Sequence, residues 1–418
     1  MAPQETLADS PSADGVEQRA AVIAASLRED LLAVAVDVAG PPPRPAALIR
    51  ALDLDKSLAS RLLRGLRAQS PFELLHMLPS PTGLGMFLDA AAAAGADAAQ
   101  VRKARATVEQ FHRLLMELPG GRAGLDALTS KSVVEVKQSA ERTAKQGVYK
   151  AMSYLLGFHC ETVTSILILQ PSANGQTVDG IDAGLREGIR RLRPGTPVAI
   201  SSVDLTVETP RDDAPRLETL AGRAPSDPLS LFLPQFCDPS SPAIELFQAE
   251  RHTIFALSDA ASLQRPVTLA SAFFIRNGWL PYRTGEQLEE GRSYLLHYPC
   301  KLLIRDLFIR DDLYVGAEPQ IRLEFPSPTG PARPQTSSFP IRLNTLDVSA
   351  PIEHLGRGLQ NAAPSGVAQH GRLLAHVFES TGLEPERFRG YRTRIVYPVP
   401  MITMGWWIPL SRPPGSTV

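Results

Sequence analysis

The chain has 418 residues, more than one ordinary hydrophobic core organises, so two or three domains are expected. With 44% hydrophobic and 21% charged residues, it has the composition of a soluble globular protein. A net charge of −1 excludes a polycation that coats nucleic acid, but leaves room for a small basic face on a neutral protein.

The opening "MAPQETLADSPSADGVEQ" lacks the basic and apolar regions of a signal peptide, and its polar, Pro/Ser-containing composition predicts a disordered tail over residues 1–15. "EQRAAVIAASLREDLLAVAVDVAG" predicts a helix stopped by Gly40 and the "PPPRP" breaker. Two short helices joined by a tight turn follow in "ALIRALDLDKSLASRLLRGLRA". "SPFELLHMLPSPTG" predicts a short helix and a Pro/Gly turn. "LGMFLDAAAAAG" and "DAAQVRKARATVEQFHRLLMELPGG" predict two more helices, the second capped by Asp97 and stopped by Gly120 and Gly121. A long helix opened by Ser130 or Ser132 runs to Phe158. Residues 16–157 therefore read as a helical domain.

The character changes near residue 160. "ETVTSILILQ" is β-branched and continuous, which predicts a buried strand. "GIDAGLREGIRRLRPG" predicts a helix and "TPVAISSVDLTVET" a strand. A proline-rich surface excursion follows from Pro210 to Pro242. Strand-like pieces at turn-marked spacing come next: "IELFQAERHTIFALS", "PVTLASAFFIRNG", "GRSYLLHYPCKLLIRDLFIRDD", "QIRLEFPS" and "FPIRLNTLDVS". "VAQHGRLLAHVFESTG" predicts one late helix and "RTRIVYPVP" a final strand. The expected fold is an all-α N-terminal domain followed, over residues 158–418, by an α+β domain with a largely antiparallel sheet.

The two short helices carry the clearest functional signal. Asp53 can take the left-handed conformation that a sharp turn requires, and Asp55 is a good N-cap for the helix after it. In that helix Leu58, Ala59, Leu62, Leu63 and Leu66 share one side. Lys56, Ser57, Ser60, Arg61, Arg64 and Arg67 fall on the rest, a set suited to phosphates and base edges in a major groove. "ALDLDKSLASRLLRGL", Ala51–Leu66, resembles the helix-turn-helix of bacterial transcriptional regulators of the IclR and MarR kind. The resemblance covers about twenty residues and implies that Lys56, Ser57, Ser60 and Arg61 face DNA. Those families follow the helix with a β-wing, whereas here "AQSPFELLHMLPSPTG" reads as helical. The same pattern also fits a helical hairpin with an ordinary solvated basic face.

Other residues that could carry chemistry are scattered. His159 and Glu161 alternate on a strand and so can converge, and His297 is the third candidate for an enzyme site. Cys160, Cys237 and Cys300 form no CxxC pair and read as reduced thiols, so no metal or other cofactor is expected. Asp306, Asp311 and Asp312 are expected to pair with Arg305 and Arg310 at a strand end. Trp406 and Trp407 form an exposed-looking pair, with one ring toward the core. No Walker A loop, GxGxxG, GxSxG or HExxH is present, and no apolar run is long enough to span a membrane. The expectation is a cytoplasmic regulator of double-stranded DNA, built as a homo-oligomer, whose second domain senses a small-molecule effector or drives assembly. The alternatives are an interaction protein, with the helix pair as scaffold, or an enzyme.

Overall fold

The computed structural model describes residues 13–118, 120–129, 134–196, 198–204, 215–238, 244–249, 252–257, 265–325, 344–364 and 366–414. The chain divides into two compact units, Met1–Thr143 and Ala144–Val418. Sequence places the division at Gly157 instead, where the helix containing Thr143 and Ala144 ends.

The first unit is helical: α1 (Ala13–Ala39), α2 (Pro45–Leu52), α3 (Lys56–Leu66), α4 (Pro71–Met77), α5 (Pro81–Ala93), α6 (Ala98–Glu117) and α7 (Arg122–Thr129). α1 begins within the expected tail, of which residues 1–12 lie outside the described residues. Gly40, at φ +73°, ends α1 as expected. Asp97 caps α6, accepting from the Ala99 and Gln100 amides at 2.9 and 2.8 Å. "SPTG" at Ser80 opens α5 rather than making a turn. Ser80 Oγ accepts from the Gly83 amide at 3.2 Å, and Pro81 sits at the start, where no N–H is needed. Leu27, Leu31, Leu48, Leu62, Leu74, Phe87 and Phe111 are fully buried in one core. α1 and α6 pack together, as do α5 and α6.

After α8 (Val134–Leu156) the strands begin: β1 (Phe158–Pro171), β2 (Val178–Arg191), β3 (Val198–Asp204), β4 (Arg216–Thr219), β5 (Ile244–Ala249), β6 (His252–Leu257), β7 (Val267–Trp279), β8 (Glu289–Leu296), β9 (Cys300–Arg310), β10 (Gln320–Glu324) and β11 (Ile352–Arg357). α9 (Ala368–Thr381), β12 (Phe388–Val396) and β13 (Ile402–Pro409) complete the chain. One sheet runs β11-β12-β9-β1-β2-β7-β4. Two three-stranded sheets run β10-β13-β8 and β3-β6-β5. The pairings are antiparallel except β1 with β9. The second unit is thus a mixed, mostly antiparallel α+β domain. Leu373, Leu374, Val377 and Phe378 of α9 pack against Ile166, Ile168 and Phe308 on one face of the large sheet. Trp406 and Ile408 of β13 pack against Leu167, Leu169, Leu307 and Ile309 on the other. With both faces covered, β1 is apolar without alternation.

Three expectations are corrected. The segment after Gly180, expected as a helix, is strand β2. Ile181, Leu185 and Ile189 stand four apart, which is one helical turn but also two full strand repeats, and both β1 and β7 offer ladder partners. Trp406 and Trp407 are both buried, at 0% and 1% exposure, because β13 is covered on both faces. That packing needs small neighbours: a Cβ on Gly405 would lie 2.2 Å from the Trp407 indole nitrogen. Asn344–Ala350 joins no strand, apart from a single bridge between Thr345 and Glu324, whereas β11 has no counterpart among the expected strands. Ser130 and Ser132, Phe339–Arg342, and the ends of the proline-rich stretch (residues 210–214 and 239–242) lie outside the described residues.

Candidate functional site

α2 and α3 are joined by Asp53, Leu54 and Asp55. Asp53 takes the left-handed conformation at φ 49°, ψ 40°, as the tight turn requires. Asp55 then starts α3. Its Oδ1 accepts from the Ser57 amide at 2.8 Å, the Leu58 amide at 3.3 Å and the Ser57 hydroxyl. These bonds, the Ser57 hydroxyl foremost, hold the carboxyl below the usual carboxylate range.

Ala59, Leu62, Leu63, Gly65 and Leu66 are buried, and Leu58 is half-buried. Gly65 serves a close approach: a Cβ there would lie 2.9 Å from Leu78 Cδ2 and 3.2 Å from the Leu78 amide nitrogen. On the outer face Lys56, Ser57, Arg61, Arg64 and Arg67 are exposed and Ser60 is half-buried. Among the described residues, two of the six have side-chain partners: Ser57 holds Asp55, and Arg67 Nη2 donates to the Pro43 carbonyl at 3.1 Å. Lys56, Arg61 and Arg64 form no ion pair with a described residue. Several cations elsewhere in this unit do: Arg19 with Glu117 at 2.5 Å, Lys103 with Asp30 at 2.9 Å, and Arg105 with Asp89 at 2.5 Å. From Arg44 to Arg67 the sequence holds six basic and two acidic residues, an excess of positive charge in a chain of net −1. After α3 comes α4, with a Ser70–Glu73 capping box, where a winged motif would place a hairpin.

In the second unit strand alternation brings His159 and Glu161 together. His159 Nδ1 lies 4.0 Å from Glu161 Oε1 and 3.1 Å from the Tyr149 hydroxyl, and Lys301 pairs with Glu161 at 2.7 Å. Burial holds His159 below the usual histidine value. His297 has other neighbours: its Nε2 donates to the Ala199 carbonyl at 3.2 Å, and its ring meets Tyr298 edge-on. The three enzyme candidates therefore do not form one cluster. Cys160 and Cys300 are register partners on the parallel strands, both buried as free thiols. Among the described residues no group of three or more His, Cys, Asp or Glu could hold a metal ion.

The expected Asp306–Arg305 pairing is corrected. Neighbours on a strand face opposite ways. Asp306 points toward α9 and binds Arg392 through both oxygens, at 2.8 and 2.6 Å, with His370 Nε2 at 2.8 Å. All three are buried. Asp312 does pair with Arg310 at 2.7 Å, and Asp311 pairs with Arg357 at 3.2 Å.

Comparison with family models, curated proteins and solved structures found no match. No described helix is long and apolar enough to cross a membrane.

Proposed function

We propose that this protein is a DNA-binding transcriptional regulator of the helix-turn-helix kind, and that α3 is its recognition helix. The observation that supports the reading is the outer face of α3, where Lys56, Arg61 and Arg64 stand exposed without a described carboxylate partner while other cations of the same unit are neutralised. Arginine and lysine held free on a rigid, capped helix match phosphates and guanine edges. Ser57, Ser60 and Arg67 border that face and complete the contact set. The second unit senses a small-molecule effector or brings two copies together, so that paired half-sites about 10 base pairs apart, or a multiple, are bound.

The test is a titration of duplex DNA with the full chain over a salt series. Wild type is expected to lose affinity steeply with salt. Replacing Arg61 and Arg64 together by Ala lowers the log–log slope by about 0.9 for each phosphate that is no longer neutralised. If one arginine reads a base, specificity relaxes at one position by about 1–3 kcal/mol. Affinity indifferent to salt, or unchanged in the double variant, overturns the reading.

A second reading has its own support. Ser57 and Arg67 are engaged within the protein, and Asp53 and Asp55 put two carboxylates at the start of α3. On that reading the helix pair is a scaffold in an interaction protein, and the same titration shows no DNA binding at all.

A further inference from the structure

The face of the large sheet that carries Val163 and Ser165 also carries two buried arginines. Arg186 stands opposite Val163 on β2, and Arg305 beside Ser165 on β9. They are 6% and 1% exposed. Neither forms an ion pair with a described residue. Arg186 Nε donates to the Tyr298 hydroxyl at 2.8 Å, and Arg305 Nη1 donates to the Met404 carbonyl. A guanidinium carries five N–H donors, so one acceptor apiece leaves most of them unserved. Arg186 Nη1 and Arg305 Nε are buried with no partner among the described residues.

No free counter-charge lies close by among the described residues. Asp182, four residues before Arg186 on the same face of β2, acts on Arg305 from a distance but is ion-paired with Arg292 at 2.7 Å. Tyr294, whose ring centre is 5.4 Å from the Arg305 guanidinium, is raised by burial, as is Tyr298, so both stay neutral at pH 7. Burial likewise lifts the Cys160 thiol to about 12. Arg305 is pulled down by burial only to about 10 and remains a cation. Buried cations left short of acceptors are strongly disfavoured in a protein interior, and the cation–π contact of Arg305 with the Tyr294 ring offsets only part of that cost. Gly184, two residues before Arg186 on β2, is the register partner of Ser165 on the same face. Arg186 Nη1 stands 3.0 Å from where a Gly184 Cβ would be, so the glycine makes room for the guanidinium. The Asp182 and Arg292 side chains reach solvent, at 23% and 35% exposure.

We infer that Arg186 and Arg305 form a binding site for a small oxyanion, a phosphate or a carboxylate, reached past the Asp182–Arg292 pair. Guanidinium forks match the geometry of both groups. The site stands without the DNA reading, and its test needs no DNA. Full-length protein is titrated with inorganic phosphate and, separately, with succinate, in chloride buffer at constant ionic strength. Melting midpoint, binding heat and backbone hydrogen exchange are followed.

At least one anion is expected to raise the midpoint saturably and to slow exchange in β2 around Gly184–Arg186 and β9 around Leu303–Arg305. Phosphate alone points to a phosphate ester, succinate alone to an organic acid. Arg186→Met and Arg305→Met are each expected to weaken binding at least tenfold. If either variant fails to fold, the exchange map of wild type still locates the site. The proposal is overturned if neither anion changes the midpoint or the exchange, if protection falls outside these strands, or if folded variants bind as wild type does.

Discussion

At the scale of single residues, burial decides what each side chain does. Leu62 is fully buried and Arg61 beside it is exposed. Leu62→Asp is expected to cost about 3–5 kcal/mol, because an unpaired carboxylate is forced into the helical core. Arg61→Ala should change stability by less than about 0.5 kcal/mol. Equal melting shifts for the two variants would show that the faces of α3 are assigned wrongly. Burial also sets a pH dependence. His159 and His297 are both held below the ordinary histidine value of 6.5. Where they stay neutral in the fold, the unfolded chain takes up protons, so their stabilisation is present above pH 6.5 and is lost as pH falls below it. The melting midpoint should therefore drop between about pH 7.5 and about pH 5.5, and His297→Gln should flatten that drop. A midpoint that does not change over this range, or is unaltered in the variant, would contradict the assignment.

At the scale of elements, legibility follows the range of the forces. α3 is readable from sequence because its determinants are local: Asp53 in the turn, Asp55 as cap and an apolar stripe at helical spacing all lie within fourteen residues of one another. β2 is not, because a four-residue apolar spacing satisfies both periods, and only pairing with distant strands decides between them. The burial of Arg186 and Arg305 is hidden for the same reason, since register with β1 puts them on one face and nothing nearby in sequence announces it. The Asp306–Arg392–His370 group likewise joins two strands and a helix far apart in the chain. Two glycines show how differently one residue type serves its element. A Cβ on Gly180 in β2 would lie 2.4 Å from the Trp279 ring, whereas one on Gly147 in α8 would meet nothing within 4 Å. Gly180→Ala is expected to destabilise by about 1–3 kcal/mol through overpacking. Gly147→Ala should stabilise by about 0.5–1 kcal/mol, since alanine favours a helix interior. Urea titration of both variants checks the pair, and the same sign for both would contradict it.

At the scale of the whole molecule, each unit has its own core, one helical and one built on sheets. Calorimetry of the full chain should therefore show two transitions, and Leu62→Asp should remove only one of them. A single transition with equal calorimetric and van't Hoff enthalpies would show that the units melt together. The parallel pairing of β1 with β9 governs how the second unit is made. Glu161 and Lys301, ion-paired at the start of these strands, are 140 positions apart in the chain. Ribosomes add roughly 5–20 residues per second, so β1 waits roughly seven to thirty seconds for the strand that completes it. During that wait Ile166–Leu169, buried in the finished fold, has one open edge, the kind of surface on which nascent chains stick to one another. Synthesis arrested before Lys301 should yield chains that aggregate or hold a chaperone, and synthesis arrested after Val396, with β12 also in place, should yield far fewer.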